Sequence, residues 1–234
     1  MKWNRKFNYT SLNRIPVNGS RHYAVGQHRL PSVSTILSKT KSIEDKAALA
    51  AWIARVGEKE SERIKNAASA NGTKMHSIIE IYLKGRENLD LLKTEEEAGL
   101  AKQMADKIIS EGIQGKVNEV HGVECPIYYD SPKGWAGTAD LVATYESQLS
   151  ICDFKQKNSI MKESYSSYHE YMTQIAGYSL AHDKLYGSTI TQGVILLATT
   201  DLVFQIFRID HEKLKEYQQK FLDRVEKYYS LINN

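Results

Sequence analysis

The stretch GTADLVATYESQLSICDFK, Gly137 to Lys155, constrains this chain most, because it sets two acids and a base inside two apolar, β-rich runs. The runs are separated by Glu146-Ser147 and read as a hairpin. A two-residue loop there pairs Thr144 with Leu149 and brings Asp140 opposite Asp153, with β-carbons about 5 Å apart on one sheet face. Strand side chains alternate, so Lys155 emerges on the same face as Asp153. A one-residue slip would put the two acids on opposite faces.

Two close carboxylates repel unless a cation lies between them. A divalent ion with oxygen ligands fills that role, and Mg²⁺ commonly takes one or two carboxylates plus phosphate and water. Lys155 can then orient a water or stabilise charge on an attacked phosphate. The alternative is an acid–base pair on an exposed sheet face. Leu141, Val142, Ile151 and Phe154 flank the three residues, and such neighbours favour a partly buried position where unpaired charge is costly.

Charge is distributed unevenly along the chain. The formal balance is only +3, yet no acid precedes Glu44, while Lys2, Arg5, Lys6, Arg14, Arg21, Arg29, Lys39 and Lys41 all do. Such a segment suits a polyanion, with Arg21 and Arg29 as candidate phosphate contacts. A solvated arm or an organelle transit peptide has the same composition. Cys125 and Cys152 both sit in apolar runs, as reduced, packed thiols of an intracellular protein do. Two cysteines cannot hold a four-thiolate iron–sulfur cluster. No apolar run approaches membrane-spanning length, so a soluble protein is expected.

Hydrophobic periodicity predicts a helical first half and a mixed second half. Helices are expected from Ile43 to Arg55, from Glu58 to Ala70, over TKMHSIIEIYLKG, and from Thr94, whose spacing to Glu97 is that of a capping box. Four helices thus precede the first predicted strand. From Val117 the period changes to a strand meander. A long helix over 163–185, two strands turning at Thr200-Asp201 and an amphipathic helix from His211 to Leu231 follow. At 234 residues and 41% hydrophobic content the chain can bury one substantial core. One domain is expected over 1–234: a basic segment 1–43, a helical region 44–115, a catalytic core 116–209 and a C-terminal helix 210–234. The fold class is α/β (α+β), a mixed central sheet flanked by helices, with the N-terminal helices as a wall or arch over the site.

GTAD followed by DFK resembles the core of the PD-(D/E)XK nuclease superfamily, with Ala139 where the name-giving Pro would stand. NGTKMH before SIIEIYL resembles the helical motif of its RecB-like branch, ending here in His76. QIAGY supplies that branch's Q-x-x-x-Y as Gln174 and Tyr178. LPSVSTIL, containing Ser32 and Ser34, is similar to the opening segment of the mitochondrial genome maintenance exonucleases and their phage relatives. The resemblance covers about residues 30 to 209.

This resemblance implies a restriction-endonuclease-like core and a Mg²⁺- or Mn²⁺-dependent deoxyribonuclease acting as an exonuclease on single-stranded DNA ends. It implies His76, Asp140, Asp153 and the Phe154 backbone carbonyl as metal ligands, with His76, Asp140, Asp153 and Lys155 as the catalytic residues. Gln174, Tyr178, Ser32, Ser34, Arg21, Arg29 and Lys157 are the expected DNA contacts. QKNS follows Lys155 where relatives more often carry Thr or Ser directly after the lysine. An isolated helical His is more often packed than ligating, and Glu80, one turn on, is either its partner or a solvated acid. Tyr171 and His182 extend the Gln174–Tyr178 stripe.

A monomer is expected, in the cytoplasm of a cell or of a phage host, with the mitochondrial matrix as the alternative. Replication, recombination or repair proteins are candidate partners. Two other readings stay open: a structure-selective endonuclease of the same fold, and a silent nucleic-acid-binding module.

Overall fold

The computed structural model describes residues 1–85 and 95–232. The N-terminal segment is where it departs most from expectation. Four strands, not helices, come first: β1 (Lys2–Trp3), β2 (Asn13–Val17), β3 (Ser20–Val25) and β4 (His28–Pro31). Asn18-Gly19 is the reason. Both residues have positive φ, 48° and 70°, and Val17 pairs with Ser20 across them, the geometry an Asn-Gly hairpin turn favours. The basic stretch therefore becomes a three-stranded antiparallel sheet, β2-β3-β4. It is not a solvated arm.

Helices α1 (Val33–Lys39), α2 (Ile43–Val56) and α3 (Glu58–Leu83) follow. The break expected at Asn71-Gly72 does not occur. A single glycine costs a helix about 1 kcal/mol, and packing outweighs it. The second half of α3 buries Met75, Ile78, Ile79 and Leu83, and Gln156 donates to the Ala68 carbonyl just before the glycine. Of the expected capping box before α4 (Glu95–Lys107), Thr94 and the Glu97 side chain lie outside the described residues. A π-helical turn, Ile108–Ile113, extends α4.

The second half follows the predicted order: β5 (Val117–Tyr129), β6 (Trp135–Tyr145), β7 (Gln148–Lys157), α5 (Ser166–Tyr186), β8 (Gln192–Thr199), β9 (Phe204–Ile209) and α6 (His211–Ile232). The central sheet is mixed, in the order β1-β5-β6-β7-β8-β9. β7 and β8 run parallel, and α5 supplies the crossover that a parallel pair requires. One sheet face packs on α1, α5 and α6 through Val142, Ile151, Ile195, Met172 and Phe221. The other packs on α3 and α4 through Leu141, Phe154, Leu196, Ile79 and Met104. Cys125 and Cys152 are free and buried. Among the described residues no helix is long and apolar enough to cross a membrane.

Candidate active site

The Glu146-Ser147 turn has φ of 46° and 70°, so it is a two-residue hairpin loop of the primed kind. Its ladder includes Thr144↔Leu149 and ends at Leu141↔Cys152. One step further the strands exchange no ladder pair. There Asp140 Oδ2 accepts a hydrogen bond from the Phe154 amide at 2.8 Å. β6 and β7 part at the two acids, and the opening is the floor of a cleft of about 460 Å³.

A third acid joins them from β5. Val123 pairs with Leu141 and Cys125 with Ala139, so Glu124 stands across from Asp140. Its φ is 51°, an uncommon backbone for a non-glycine residue in a strand. Glu124, Asp140 and Asp153 thereby form a row across three adjacent strands at the cleft.

His76 reaches the row from α3. Its Nδ1 is 3.5 Å from Asp140 Oδ2, and its Nε2 is 3.0 Å from the Phe154 carbonyl. A carbonyl only accepts, so Nε2 carries a proton and Nδ1 faces the acids. Phe154's carbonyl, expected as a metal ligand, thus holds the imidazole in place, the kind of contact that fixes a ligating histidine's tautomer. His76, Glu124 and Asp140 offer one ligand atom each, all within 4.8 Å of one another, and could hold a metal ion. Carboxylate oxygens with one imidazole suit a hard or borderline divalent cation.

Asp153 and Lys155 occupy the adjoining part of the cleft. Asp153 is 1% exposed, and its Oδ2 is ion-paired with the Lys155 ammonium. Lys155 Nζ donates to Gln174 Oε1 at 3.1 Å, and Gln174 Nε2 donates to Tyr178 Oη at 2.9 Å. The Tyr171 ring lies 4.9 Å from the ammonium. The stripe on α5 therefore orients the lysine. His182, at its far end, turns away into an aromatic cluster where Tyr9 Oη lies 2.8 Å from Nε2 and Phe7 meets the ring edge-on.

Electrostatics reflect this crowding. Burial pushes Glu124 up, Asp140 adds to the rise and His76 opposes it, leaving the carboxyl at about 7. Burial pulls His76 down, but the Asp140 carboxylate outweighs it and lifts the imidazole to about 8. Burial also raises Asp153 against the pull of Lys155. Burial pushes Asp140 up, but His76, Lys155 and the Phe154 amide together hold it below the usual range. Burial opposes the charge on Lys155, and Asp153 more than restores it. One cluster thus contains carboxylates driven apart in proton affinity, a pattern concentrated at functional sites.

The other predicted contacts divide in two. Arg21, Ser32 and Ser34 line the cleft with Gln174 and Tyr178. Ser32 also caps α1 by accepting from the Thr35 amide. Arg29 is exposed on β4 and is not part of the cleft lining. Lys157 donates to Ser167 at the start of α5, and Ser167 lines a second groove that meets the first at Ser34 and Gln174. Glu80 pairs with Lys84 rather than with His76. Of the helices expected as a wall, α3 supplies it, through Ser69, Gly72, Thr73, His76, Ser77 and Glu80.

Glu124 and Arg14 were not among the predicted site residues. Glu124 sits in VECPIYYD, and only the five-residue loop 130–134 sets its register against Asp140. Arg14 enters because the Asn18-Gly19 hairpin folds it inward.

No known family profile matches the sequence, and no curated protein sequence matches it. Among solved structures, the chain is similar to a protein named "Putative exonuclease" from Eubacterium rectale, at 18% identity and a TM-score of 0.49, covering 70% of this chain. The chain spans 65% of the length of that protein. It is also similar to SSO0001, at 10% identity and a TM-score of 0.32, over 64% of this chain and 70% of that one.

Proposed function

We propose that this cleft hydrolyses phosphodiester bonds of DNA, as a metal-dependent exonuclease of the RecB-like PD-(D/E)XK type. The row of Glu124, Asp140 and Asp153, flanked by His76 and Lys155, carries the reading. A site that only bound nucleic acid would gain nothing from three acids placed where phosphates must lie.

His76, Glu124, Asp140 and Asp153 would hold Mg²⁺ or Mn²⁺. When bound, the cation supplies Lewis acidity toward a phosphoryl oxygen and lowers the pKa of water at the site. Lys155, aimed by Gln174 and Tyr178, offsets negative charge that develops on the attacked phosphate. Asp153 keeps that ammonium charged inside a partly dry cleft. Ser34 and Gln174, shared by the cleft and the second groove, lie where an incoming strand would pass. The preference for single-stranded ends is assigned by the resemblance.

The test uses linear and circular single-stranded DNA with Mg²⁺, Mn²⁺ or EDTA. Linear strands should shorten from an end only with metal, and circles should persist. Asp140→Asn and Asp153→Asn should each abolish shortening while DNA binding persists, because each removes a ligand and a phosphate-repelling charge. Activity of both variants within about tenfold of the unaltered protein would overturn the assignment. Cleaved circles would indicate an endonuclease, and metal-independent binding without cleavage a silent module.

A further inference from the structure

Two guanidinium groups enter the cleft from the small N-terminal sheet. Arg14 on β2 pairs with Tyr23 on β3, and Pro16 pairs with Arg21, so Arg14, Arg21 and Tyr23 share one face. All three line the cleft that contains the acids. Neither arginine has a carboxylate partner among the described residues. Cations that line a cleft with a carboxylate cluster, yet have no carboxylate partner, leave two charges for an anionic ligand.

Both side chains are exposed; contacts of its guanidinium position Arg14, and backbone contacts position Arg21. Arg14 lies over the Tyr23 ring, 6.0 Å from its centroid, and its Nη2 is 3.5 Å from Thr138 Oγ1. Tyr23 Oη is 3.3 Å from the same hydroxyl. Thr138 is two residues before Asp140 on β6, so Arg14 stands beside the metal-ligating row, and its charge is felt by Glu124. Arg21 is anchored through its backbone: its carbonyl accepts from the Ser32 amide at 3.0 Å and from Thr35 Oγ1 at 2.8 Å. The small sheet is in turn tied to the large one by the Ser32↔Ala136 bridge.

We infer that Arg14 and Arg21 form a two-pronged clamp on consecutive phosphates of the bound strand, Arg14 on the phosphate at the acids and Arg21 on its neighbour. Their diagonal positions across a hairpin set the two backbones about 7–8 Å apart, on the scale of the phosphate repeat of an extended strand. A planar fork binds phosphate in a bidentate way that an ammonium does not reproduce. Lys155, on β7, then serves the same phosphate from another side of the cleft. The clamp rests on the nuclease reading above, and it gives the N-terminal sheet a part in substrate positioning.

Binding of a fluorescein-labelled oligothymidylate, followed by anisotropy in Ca²⁺ across a salt series, tests it. Arg14→Ala and Arg21→Ala should each weaken binding about tenfold or more and flatten the log–log salt slope by about 0.7. Arg14→Lys should recover only part of the loss. Lys220→Ala, a charge removal on α6 outside the cleft, should change neither quantity.

Hydrolysis of bis(p-nitrophenyl) phosphate, which has a single phosphodiester, separates the prongs. Arg14→Ala should lose most of that activity, and Arg21→Ala should keep it. Arginine variants that bind like Lys220→Ala would overturn the clamp while leaving a nuclease that still cuts DNA. An unaltered protein that neither binds nor cuts DNA would overturn the nuclease reading itself.

Discussion

Gly137, in the GTAD of β6, faces the ring that positions Gln174. A β-carbon there would lie 2.6 Å from Tyr178 Cε1 and 3.3 Å from Cδ1. Ordinary carbon contacts sit at about 3.5–4.0 Å, so Gly137→Ala requires the ring or β6 to withdraw by about 1 Å. Tyr178 is only 6% exposed and cannot swing into solvent. Overpacking of this kind costs about 1–3 kcal/mol. For a chain of this size that is a fall in Tm of about 2–12 °C.

Urea and thermal unfolding in EDTA, followed by circular dichroism, give the cost. Turnover should also fall in the folded variant, because a displaced Tyr178 releases Gln174, which holds Lys155. The cause is isolated by a double-mutant cycle. In a Tyr178→Ala background the same Gly137→Ala change should cost less than about 0.5 kcal/mol, since the colliding ring is gone. An equal cost in both backgrounds would refute the steric argument.

Metal affinity should rise with pH, because the cation competes with protons on His76 near 8 and Glu124 near 7. Calorimetric Mn²⁺ affinity should be at least about tenfold weaker at pH 6 than at pH 8, with protons released on uptake. Without metal, stability should run the other way. The His76 pKa rises on folding from 6.5 to about 8, a contribution of about 2 kcal/mol, present below pH 6.5 and lost as pH climbs through 8. A His76→Gln variant should have a shallower slope between pH 6.5 and 8, as measured by Tm in EDTA, while the fall with pH contributed by the raised Glu124 carboxyl remains.

Inserting one residue between Glu146 and Ser147 should shift the register and end hydrolysis in a folded protein. Glu146→Asn with Ser147→Gly should retain activity, because both positions have positive φ, although the exposed Glu146–Arg208 ion pair is lost at about 0–1 kcal/mol.

Local chemistry determined much of this protein. Apolar, β-rich runs specified β6 and β7, and a two-residue loop fixed their register as far as Leu141↔Cys152, so the approach of Asp140 and Asp153 to one cleft was legible in the sequence. The four-residue step from Gln174 to Tyr178 likewise placed both on one helix face. Asn18-Gly19 also carried a hairpin signal.

Other features arise only when distant segments pack. α3 runs through Asn71-Gly72 because Gln156, far along the chain, secures the backbone before the glycine. His76 meets Asp140 because Met75, Ile78 and Ile79 bury that helix against the central sheet. Glu124 joins the acids through the loop 130–134 and a positive φ that no local pattern announces. Arg14 enters the cleft because the small sheet docks beside β6. Spacing within one strand pair or one helix is set by a fixed local period, whereas contacts between elements depend on which apolar faces find each other. Local period therefore carried Asp140, Asp153 and Lys155 to one cleft, and packing between elements brought the histidine, the third carboxylate and the arginines around them.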